Sequence, residues 1–383
     1  MSRPPFGPVF PKLFVAAILQ ELAFALMVHF PGFLDRLGIT EARIGLLYGS
    51  GAVLALSMRP AFGKVLDLTH RRTVLLVSGL LNGLLVMSLV FAGRWGPVLW
   101  ALFLGHRVLQ IVLFTAMLTY AADAIPVARR TQGLAIFGLS GLVPIAIGGA
   151  LGEVLIGLFG FGGLFVASAL ASVTSWSLVW RFPKLPIMAR RARRGFWAAL
   201  AQRDLLPLWW VTLCFSVGLE TLFTFTRTFV ESRGVGSAGL FFGVYGAMAA
   251  ATRLAARGSY DRVPQRMAVT VSIFVYGSCL FILAGARVTW MLVLAAGIGG
   301  TAHGAVFPIL SSQVVSRART SERGSAMAIF TSIFDIALLL SAPAVGGLIE
   351  GSGYGVALAV VGSALWAGAV VYSAWDRGES DTS

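Results

Sequence analysis

Twelve apolar stretches follow one another along this 383-residue chain. Each is about 20 residues long, which is the length a helix needs to cross the hydrocarbon core of a bilayer. Because a backbone in lipid must satisfy its own hydrogen bonds, each stretch is predicted to be an α-helix. The predicted spans are 12–33, 43–62, 73–92, 97–121, 132–152, 160–181, 206–229, 238–256, 267–286, 289–315, 325–349 and 354–375. The sequence therefore predicts an all-α membrane protein with 12 transmembrane helices.

Composition and charge distribution agree with lipid as the solvent. Hydrophobic residues make up 57% of the chain and charged residues 12%, whereas soluble domains carry about 25% charged residues. With the N-terminus in the cytoplasm, the even-numbered loops and the termini hold 23 of the 30 Lys and Arg residues. Positive residues concentrate on the cytoplasmic side of membrane proteins. We expect a multi-pass protein of the bacterial cytoplasmic (inner) membrane with both termini inside, and the net charge of +14 does not require a nucleic-acid partner.

The second half of the chain repeats charged residues of the first half 194 residues later. The repeated residues are Arg59, Asp67 and Arg72 in the first half and Arg253, Asp261 and Arg266 in the second. Internal repeats of this kind are typical of transporters whose halves alternate access to a central site. We predict two pseudo-symmetric six-helix bundles, 1–182 and 205–383, joined by a basic cytoplasmic linker, 183–204.

Small residues accompany the repeat. Gly45 and Gly49 in the second span correspond to Gly239 and Gly243 in the eighth. Glycines four residues apart let helix backbones approach closely in lipid. These faces are predicted to pack tightly against a neighbouring helix.

The run Gly63-x-x-x-Asp67-x-x-x-Arg71-Arg72 between the second and third spans resembles the loop signature of the major facilitator superfamily. It departs from that signature at Leu68 and His70, and the second copy keeps Asp261-Arg262 without the leading glycine. A carboxylate there can cap the positive N-terminus of a helix from the opposite half. The predicted conformational gate consists of Arg59, Gly63, Asp67, Arg71, Arg72, Arg253, Asp261, Arg262 and Arg266.

The resemblance extends over nearly the whole chain and implies the major facilitator fold, with helices 1, 4, 7 and 10 lining a central cavity. Arg107-x-x-Gln110 is similar to a helix-4 motif of proton-linked drug exporters, which implies a role in moving a proton. The helix-5 antiporter motif is imperfect, because Val143 precedes Pro144 and three residues separate that proline from Gly148-Gly149. Efflux and uptake therefore both remain open.

Ionisable and polar residues inside the predicted spans are candidates for a substrate or proton pathway, because such groups are costly in lipid and normally face protein or a water-filled cavity. Each could instead be a structural hydrogen-bonded side chain. An arginine stays charged, so Arg107 is expected to hold a nearby acid ionised, and Glu21, Glu220 or Asp335 could be that acid. The candidates are Glu21, His29, His106, Arg107, Gln110, Glu220, Arg227, His303 and Asp335.

These patterns favour a secondary active transporter that exports a small molecule in exchange for protons and functions as a monomer. The mixed charge of the pathway favours polar, zwitterionic or anionic substrates. Proton symport or facilitated uptake is the first alternative. A membrane-embedded enzyme or scaffold is the second, but the sequence holds no phosphate-binding loop and no nucleophile–base or metal-ligand constellation, so we expect no enzyme activity and no cofactor or metal.

Overall fold

A computed structural model of the chain describes residues 6, 9–126, 133, 136–185, 196–255, 264–319 and 322–376. At residues 63, 64, 66, 67 and 196 it describes the backbone alone. All regular secondary structure in these ranges is helical. Nine of the described helices are long and apolar enough to cross a membrane. The predicted all-α membrane fold is confirmed.

Six helices belong to the first half of the chain. They are α1 (Phe10–Leu26), α2 (Phe30–Arg36), α3 (Glu41–Leu68), α4 (Arg71–Ser88), α5 (Pro97–Ala124) and α6 (Leu139–Val179). A 3-10 turn, Met27–His29, joins α1 to α2. Pro31 follows directly at the start of α2. Because proline has no N–H to donate, the α-helical hydrogen-bond ladder is interrupted before it.

Six helices follow in the second half. They are α7 (Phe196–Leu200), α8 (Leu206–Arg233), α9 (Ala238–Ala255), α10 (Gln265–Ala284), α11 (Thr289–Arg317) and α12 (Arg323–Trp375). α7 is the short helix that follows the basic part of the predicted linker, and residues 186–195 before it lie outside the described residues.

α6 and α12 each contain two of the predicted spans. Each is broken at one glycine, Gly160 (φ 66°, ψ −171°) in α6 and Gly353 (φ 80°, ψ 165°) in α12. This backbone region is open essentially to glycine alone. The predicted spans thus meet at a single residue, where the sequence had suggested loops 153–159 and 350–353. The start of the span predicted at 132–152 falls partly outside the described residues.

By their internal contacts the residues form two compact units, 1–38 with 54–190 and 39–53 with 191–383. The first part of α3 therefore groups with the second unit. There Gly45 and Gly49 lie against α12, and a Cβ added at Gly45 would stand 2.1 Å from the Ala342 carbonyl oxygen. The predicted close packing at Gly45 and Gly49 is confirmed, while the domain boundaries at 182 and 205 stay a prediction.

Large apolar side chains remain exposed along the helices. Leu158 and Phe159 in α6 are 69% and 68% exposed, and Val154 in the same helix is 57% exposed. Such surfaces would be unfavourable in water and are the expected lipid-facing surfaces of membrane helices.

Candidate functional site

The first unit contains a buried hydrogen-bonded network around His106 of α5. His106 Nδ1 lies 2.9 Å from the Asn82 side-chain oxygen, and the Asn82 amide nitrogen donates to Ser172 Oγ at 3.1 Å. Ser172 Oγ donates in turn to the Gln20 side-chain oxygen at 3.1 Å. An amide oxygen can only accept, so His106 Nδ1 donates the proton in this hydrogen bond. The network joins four helices, α5, α4, α6 and α1.

The second unit places His303 of α11 in a comparable position. Its Nδ1 lies 2.9 Å from the Tyr245 hydroxyl, which lies 3.0 Å from the Tyr276 hydroxyl. Both tyrosines have no solvent-exposed surface. Glu220, on α8, lies two residues after Gly218, where an added Cβ would stand 2.9 Å from the Tyr276 ring. His303 therefore ends a chain of two phenols that has an acid near its other end.

His106 and His303 lie on the corresponding helices α5 and α11, 197 residues apart, and the neighbourhood of the two rings includes a pair of positions with the 194-residue offset of the repeat. Asn82 and Tyr276 are 194 residues apart, so the partner network starts from equivalent positions on α4 and α10. The His106 ring lies 5.6 Å from the Phe24 ring at 56°, and the His303 ring lies 5.5 Å from a phenylalanine ring of α8 at 57°. The internal duplication thus extends from the charged turns into the polar interior of both units.

Arg107 and Gln110, one helical turn apart on α5, are hydrogen-bonded. Arg107 Nη1 donates to the Gln110 side-chain oxygen at 2.7 Å. Within the described part of the first unit, neither Arg107 nor Glu21 takes part in an ion pair. Of the three acids that the sequence offered as a partner of Arg107, Glu21 is thus not paired with it among the described residues, and the arginine is hydrogen-bonded to its neighbour on the same helix.

His29 is a packing residue between the α1–α2 turn and α6. Its Nε2 donates to the Gly149 carbonyl at 2.8 Å, and the side chain is fully buried. A Cβ added at Gly152 would stand 2.3 Å from the His29 ring. The ring and the glycine face therefore fit together, and the structure supports the hydrogen-bonded alternative for this histidine.

The remaining candidates lie on α8 and α12. Arg227 forms an ion pair with Glu231, one turn further along α8. Arg227 and Asp335 are both buried residues, each 7% exposed. Glu220 is half-buried. Glu220 and Arg227 lie seven residues apart on α8, and Arg227 forms its ion pair on this helix with Glu231.

The predicted gate contains a duplicated contact. Arg72 donates to the backbone carbonyl of Trp180 at the end of α6, and Arg266 donates to the carbonyl of Ser373 in the last turn of α12. Each arginine thus supplies a positive charge and a donor where a helix exposes its last carbonyls. Each contact lies within one unit, and the role of Arg72 and Arg266 in a conformational gate stays a prediction.

The structure describes some of the other predicted gate residues in full, some by their backbone alone and some not at all. Arg71 pairs with Asp123 at the end of α5, at 3.3 Å. The Arg253 guanidinium lies 5.6 Å from the centre of the Phe307 ring. Arg59 is in α3. Only the backbone of Gly63 and Asp67 is described, and Asp261 and Arg262 lie outside the described residues.

Sequence reasoning missed the polar partners of the two histidines. Gln20, Asn82 and Ser172 are single polar residues in apolar spans, and Tyr245 and Tyr276 lie in apolar runs. The signal was present, because a polar side chain in a span must find a partner or water. The identity of the partner depends on helix packing, which a single sequence does not give.

The family model of the Major Facilitator Superfamily matches residues 13–342. An uncharacterized MFS-type transporter of Salmonella typhimurium is 25% identical over 374 residues, covering 94% of this chain and 95% of that protein. A chloramphenicol resistance protein of Pseudomonas aeruginosa is 28% identical over 197 residues, covering 50% of this chain and 46% of that protein.

Solved transporter structures share the fold. The nucleoside transporter NupG has a TM-score of 0.78 at 14% identity, covering 97% of this chain and all of that chain. A POT family transporter in complex with 5-aminolevulinic acid has a TM-score of 0.81 at 12% identity, covering 96% and 97%. These relatives and structural neighbours are transporters and not enzymes.

Proposed function

This chain belongs to the major facilitator superfamily, and on that premise we propose that it exports a small molecule from a bacterial cytoplasm in exchange for protons. It is a multi-pass membrane transporter. The predicted second-class alternative, an enzyme or scaffold, finds no counterpart among its relatives.

The relative from Pseudomonas aeruginosa favours export. Its printed name is chloramphenicol resistance protein, and resistance is a property that export of a toxic compound confers. The match covers half of this chain. This is the single observation that carries the efflux proposal, and it makes chloramphenicol the first probe compound.

Acids in the helices support proton coupling. Glu21 lies in α1 and makes no ion pair or hydrogen bond among the described residues. Glu220 lies in α8, two residues after Gly218, which packs against the ring of the buried Tyr276. A carboxylate in a membrane helix is costly when it is charged, so binding a proton removes that cost. Either acid can thus bind a proton in one step of a transport cycle and release it in another.

The substrate class follows from the cations of the pathway. Arg107 and Arg227 keep their charge at any physiological pH. Their guanidinium groups offer several donors in a fixed plane, which suits carboxylate, phosphate and other polar acceptors. We propose polar, zwitterionic or anionic substrates rather than lipophilic cations. We also propose that the protein works as a monomer in the inner membrane, with both termini on the cytoplasmic side.

The test measures labelled chloramphenicol in membrane vesicles from cells that express the protein. Energised everted vesicles should accumulate the compound, and nigericin, which collapses the pH gradient, should abolish the accumulation. Vesicles without the protein and vesicles with Glu220→Gln serve as controls. Accumulation in right-side-out vesicles instead would establish uptake, and accumulation that nigericin does not affect would exclude proton exchange.

A panel of anionic and zwitterionic compounds is measured in the same assay, because the probe is taken from one relative. Competition with chloramphenicol by anions and zwitterions, without competition by lipophilic cations, is the expected pattern. Preferential competition by lipophilic cations would contradict the proposed substrate class.

A further inference from the structure

The hydroxyl groups of Tyr245 and Tyr276 form a continuous hydrogen-bonded link inside the second unit. The Tyr245 hydroxyl is within hydrogen-bond distance of two groups, His303 Nδ1 at 2.9 Å and the Tyr276 hydroxyl at 3.0 Å. A phenol can donate one hydrogen bond while it accepts another. Tyr245 can therefore donate to His303 and accept from Tyr276, or do the reverse.

The equivalent position in the first unit cannot act in this way. Asn82, which corresponds to Tyr276 in the repeat, contacts His106 through an amide oxygen and Ser172 through an amide nitrogen. A side-chain amide has a fixed acceptor end and a fixed donor end, and neither gains or loses a proton at physiological pH. The two units thus hold similar histidines, but only the link in the second unit can reverse its direction.

Charged and titratable groups surround this link on three helices. Arg253 on α9 lies 5.6 Å from the ring of Phe307, which follows His303 by one turn of α11. Glu220 on α8 lies two residues after Gly218, where an added Cβ would stand 2.9 Å from the Tyr276 ring, and Cys279 follows Tyr276 on α10. A positive charge on the His303 side of the link and a carboxylate on the Tyr276 side favour movement of a proton from the imidazole towards the acid.

We propose that Tyr245 and Tyr276 relay a proton between His303 and Glu220 during transport. This inference rests on the proposed proton coupling and deepens it, because it names the residues that connect two candidate proton sites. The tyrosines are positioning and transfer residues of the pathway, and neither keeps a net charge.

Each transfer step conserves protons. Protonated His303 gives its Nδ1 proton to the Tyr245 oxygen, while Tyr245 gives its hydroxyl proton to the Tyr276 oxygen. Tyr276 gives its own hydroxyl proton to the Glu220 carboxylate, directly or through one water. The imidazolium becomes neutral imidazole, the carboxylate becomes a carboxylic acid, and both phenols are restored with their hydrogen bonds reversed.

The experiment follows Glu220 with time-resolved infrared spectroscopy in proteoliposomes that contain the full chain. A photolysed caged proton lowers the pH, and the carbonyl stretch of the protonated carboxyl reports arrival of the proton. Glu220→Gln identifies the band. We expect Tyr245→Phe and Tyr276→Phe to slow its rise by about tenfold or more, with the same final amplitude.

Tyr120→Phe is the matched control. Tyr120 is also fully buried, and its hydroxyl donates to the Pro183 carbonyl at 2.9 Å in the first unit. This variant loses the same atom from an equally buried phenol, so its rate should equal that of the wild type. Elution as a single folded species and the thermal unfolding midpoint are checked for every variant, and His303→Gln supplies a second interruption of the link.

Equal rates in Tyr245→Phe and Tyr120→Phe would overturn the relay, as would the absence of a Glu220 band. The measurement uses no substrate, so its outcome is separate from that of the vesicle assay. Slow transfer in the tyrosine variants supports the relay even where chloramphenicol is not exported. Proton-driven export with unchanged transfer rates removes the relay and leaves the transport function standing.

Discussion

Asp123 and Arg317 occupy equivalent positions of the repeat, 194 residues apart, and carry opposite charges. Asp123 pairs with Arg71 at the start of α4. Arg317 pairs with Asp376, just after the end of α12. Both halves of the duplication therefore have an ion pair at this position. The acid is at the equivalent position in the first half and the base in the second, and the partner residues come from different parts of each half.

The difference between these pairs predicts different stabilities. Asp376 accepts from Arg317 Nη1 at 2.7 Å, from Nη2 at 3.0 Å and from the Tyr372 hydroxyl at 2.8 Å, whereas the Arg71–Asp123 contact is a single one at 3.3 Å. Removing one partner of a buried ion pair costs about 3–5 kcal/mol. We expect Asp376→Asn to lower the thermal unfolding midpoint more than Asp123→Asn.

Asp204→Asn is the control for both substitutions, because Asp204 is exposed and should leave the midpoint unchanged. Thermal unfolding of the purified protein in one detergent gives the three values. A larger loss in Asp123→Asn than in Asp376→Asn would contradict the account of the hydrogen bonds.

The two kink glycines predict a second result. An alanine at Gly160 or Gly353 must adopt a backbone conformation that costs about 1–3 kcal/mol for a residue with a Cβ. Nothing stands within 4 Å of a Cβ at either position, so the expected loss comes from backbone strain alone. Gly157→Ala is the comparison, because Gly157 is helical and also has open space. We expect unchanged or slightly raised stability there, since alanine favours helix.

Close backbone approach at Gly45 predicts a third result. Gly45→Ala would place a methyl group 2.1 Å from the Ala342 carbonyl oxygen, so α3 and α12 must separate. Overpacking of this kind typically costs about 1–3 kcal/mol. Gly347→Ala, on the same helix α12 but with open space around its Cβ, should have little effect. Unfolding midpoints that fall equally in both variants would show that the contact is not what makes Gly45 sensitive.

The hydrogen-bonded network around His106 predicts that a substitution in it lowers the stability of the protein without changing the rate of proton transfer. Asn82→Leu leaves His106 and Ser172 without their shared partner, and a buried unsatisfied polar group costs about 1–3 kcal/mol. We expect a lower unfolding midpoint together with an unchanged rate of Glu220 protonation, because the proposed relay lies in the other unit. Ser88→Ala, which removes an exposed hydroxyl bonded within its own helix, is the stability control.

The fold could be predicted because the length of the apolar stretches and the spacing of the repeated charged residues can both be read directly from the sequence. Arg72 and Arg266 were recognised as a repeated pair, yet their contacts with the ends of α6 and α12 were not, since these depend on which carbonyl lies within reach. Gly160 and Gly353 were not distinguished among 45 glycines. A sequence shows that a glycine is present but not the sign of its φ angle.

The polar interior was predicted in part. His106 and His303 were identified as candidates because imidazoles in apolar spans are unusual, and both are hydrogen-bonded in the structure. Tyr245 and Tyr276 were not identified as candidates, because most of a tyrosine side chain is an apolar ring that is at home in a membrane span. Their hydroxyl groups meet only after α9, α10 and α11 have packed together, and no spacing along one helix indicates that meeting.

A one-residue break also limits how a membrane hairpin can move. Consecutive Cα atoms are about 3.8 Å apart, so the two arms that meet at Gly353 have no spare chain between them. The end of the arm before Gly353 therefore cannot be displaced without displacing the start of the arm after it. A longer connection would let the two ends move separately. The two arms of α6, and likewise those of α12, can therefore change their angle at a single glycine but cannot draw apart there.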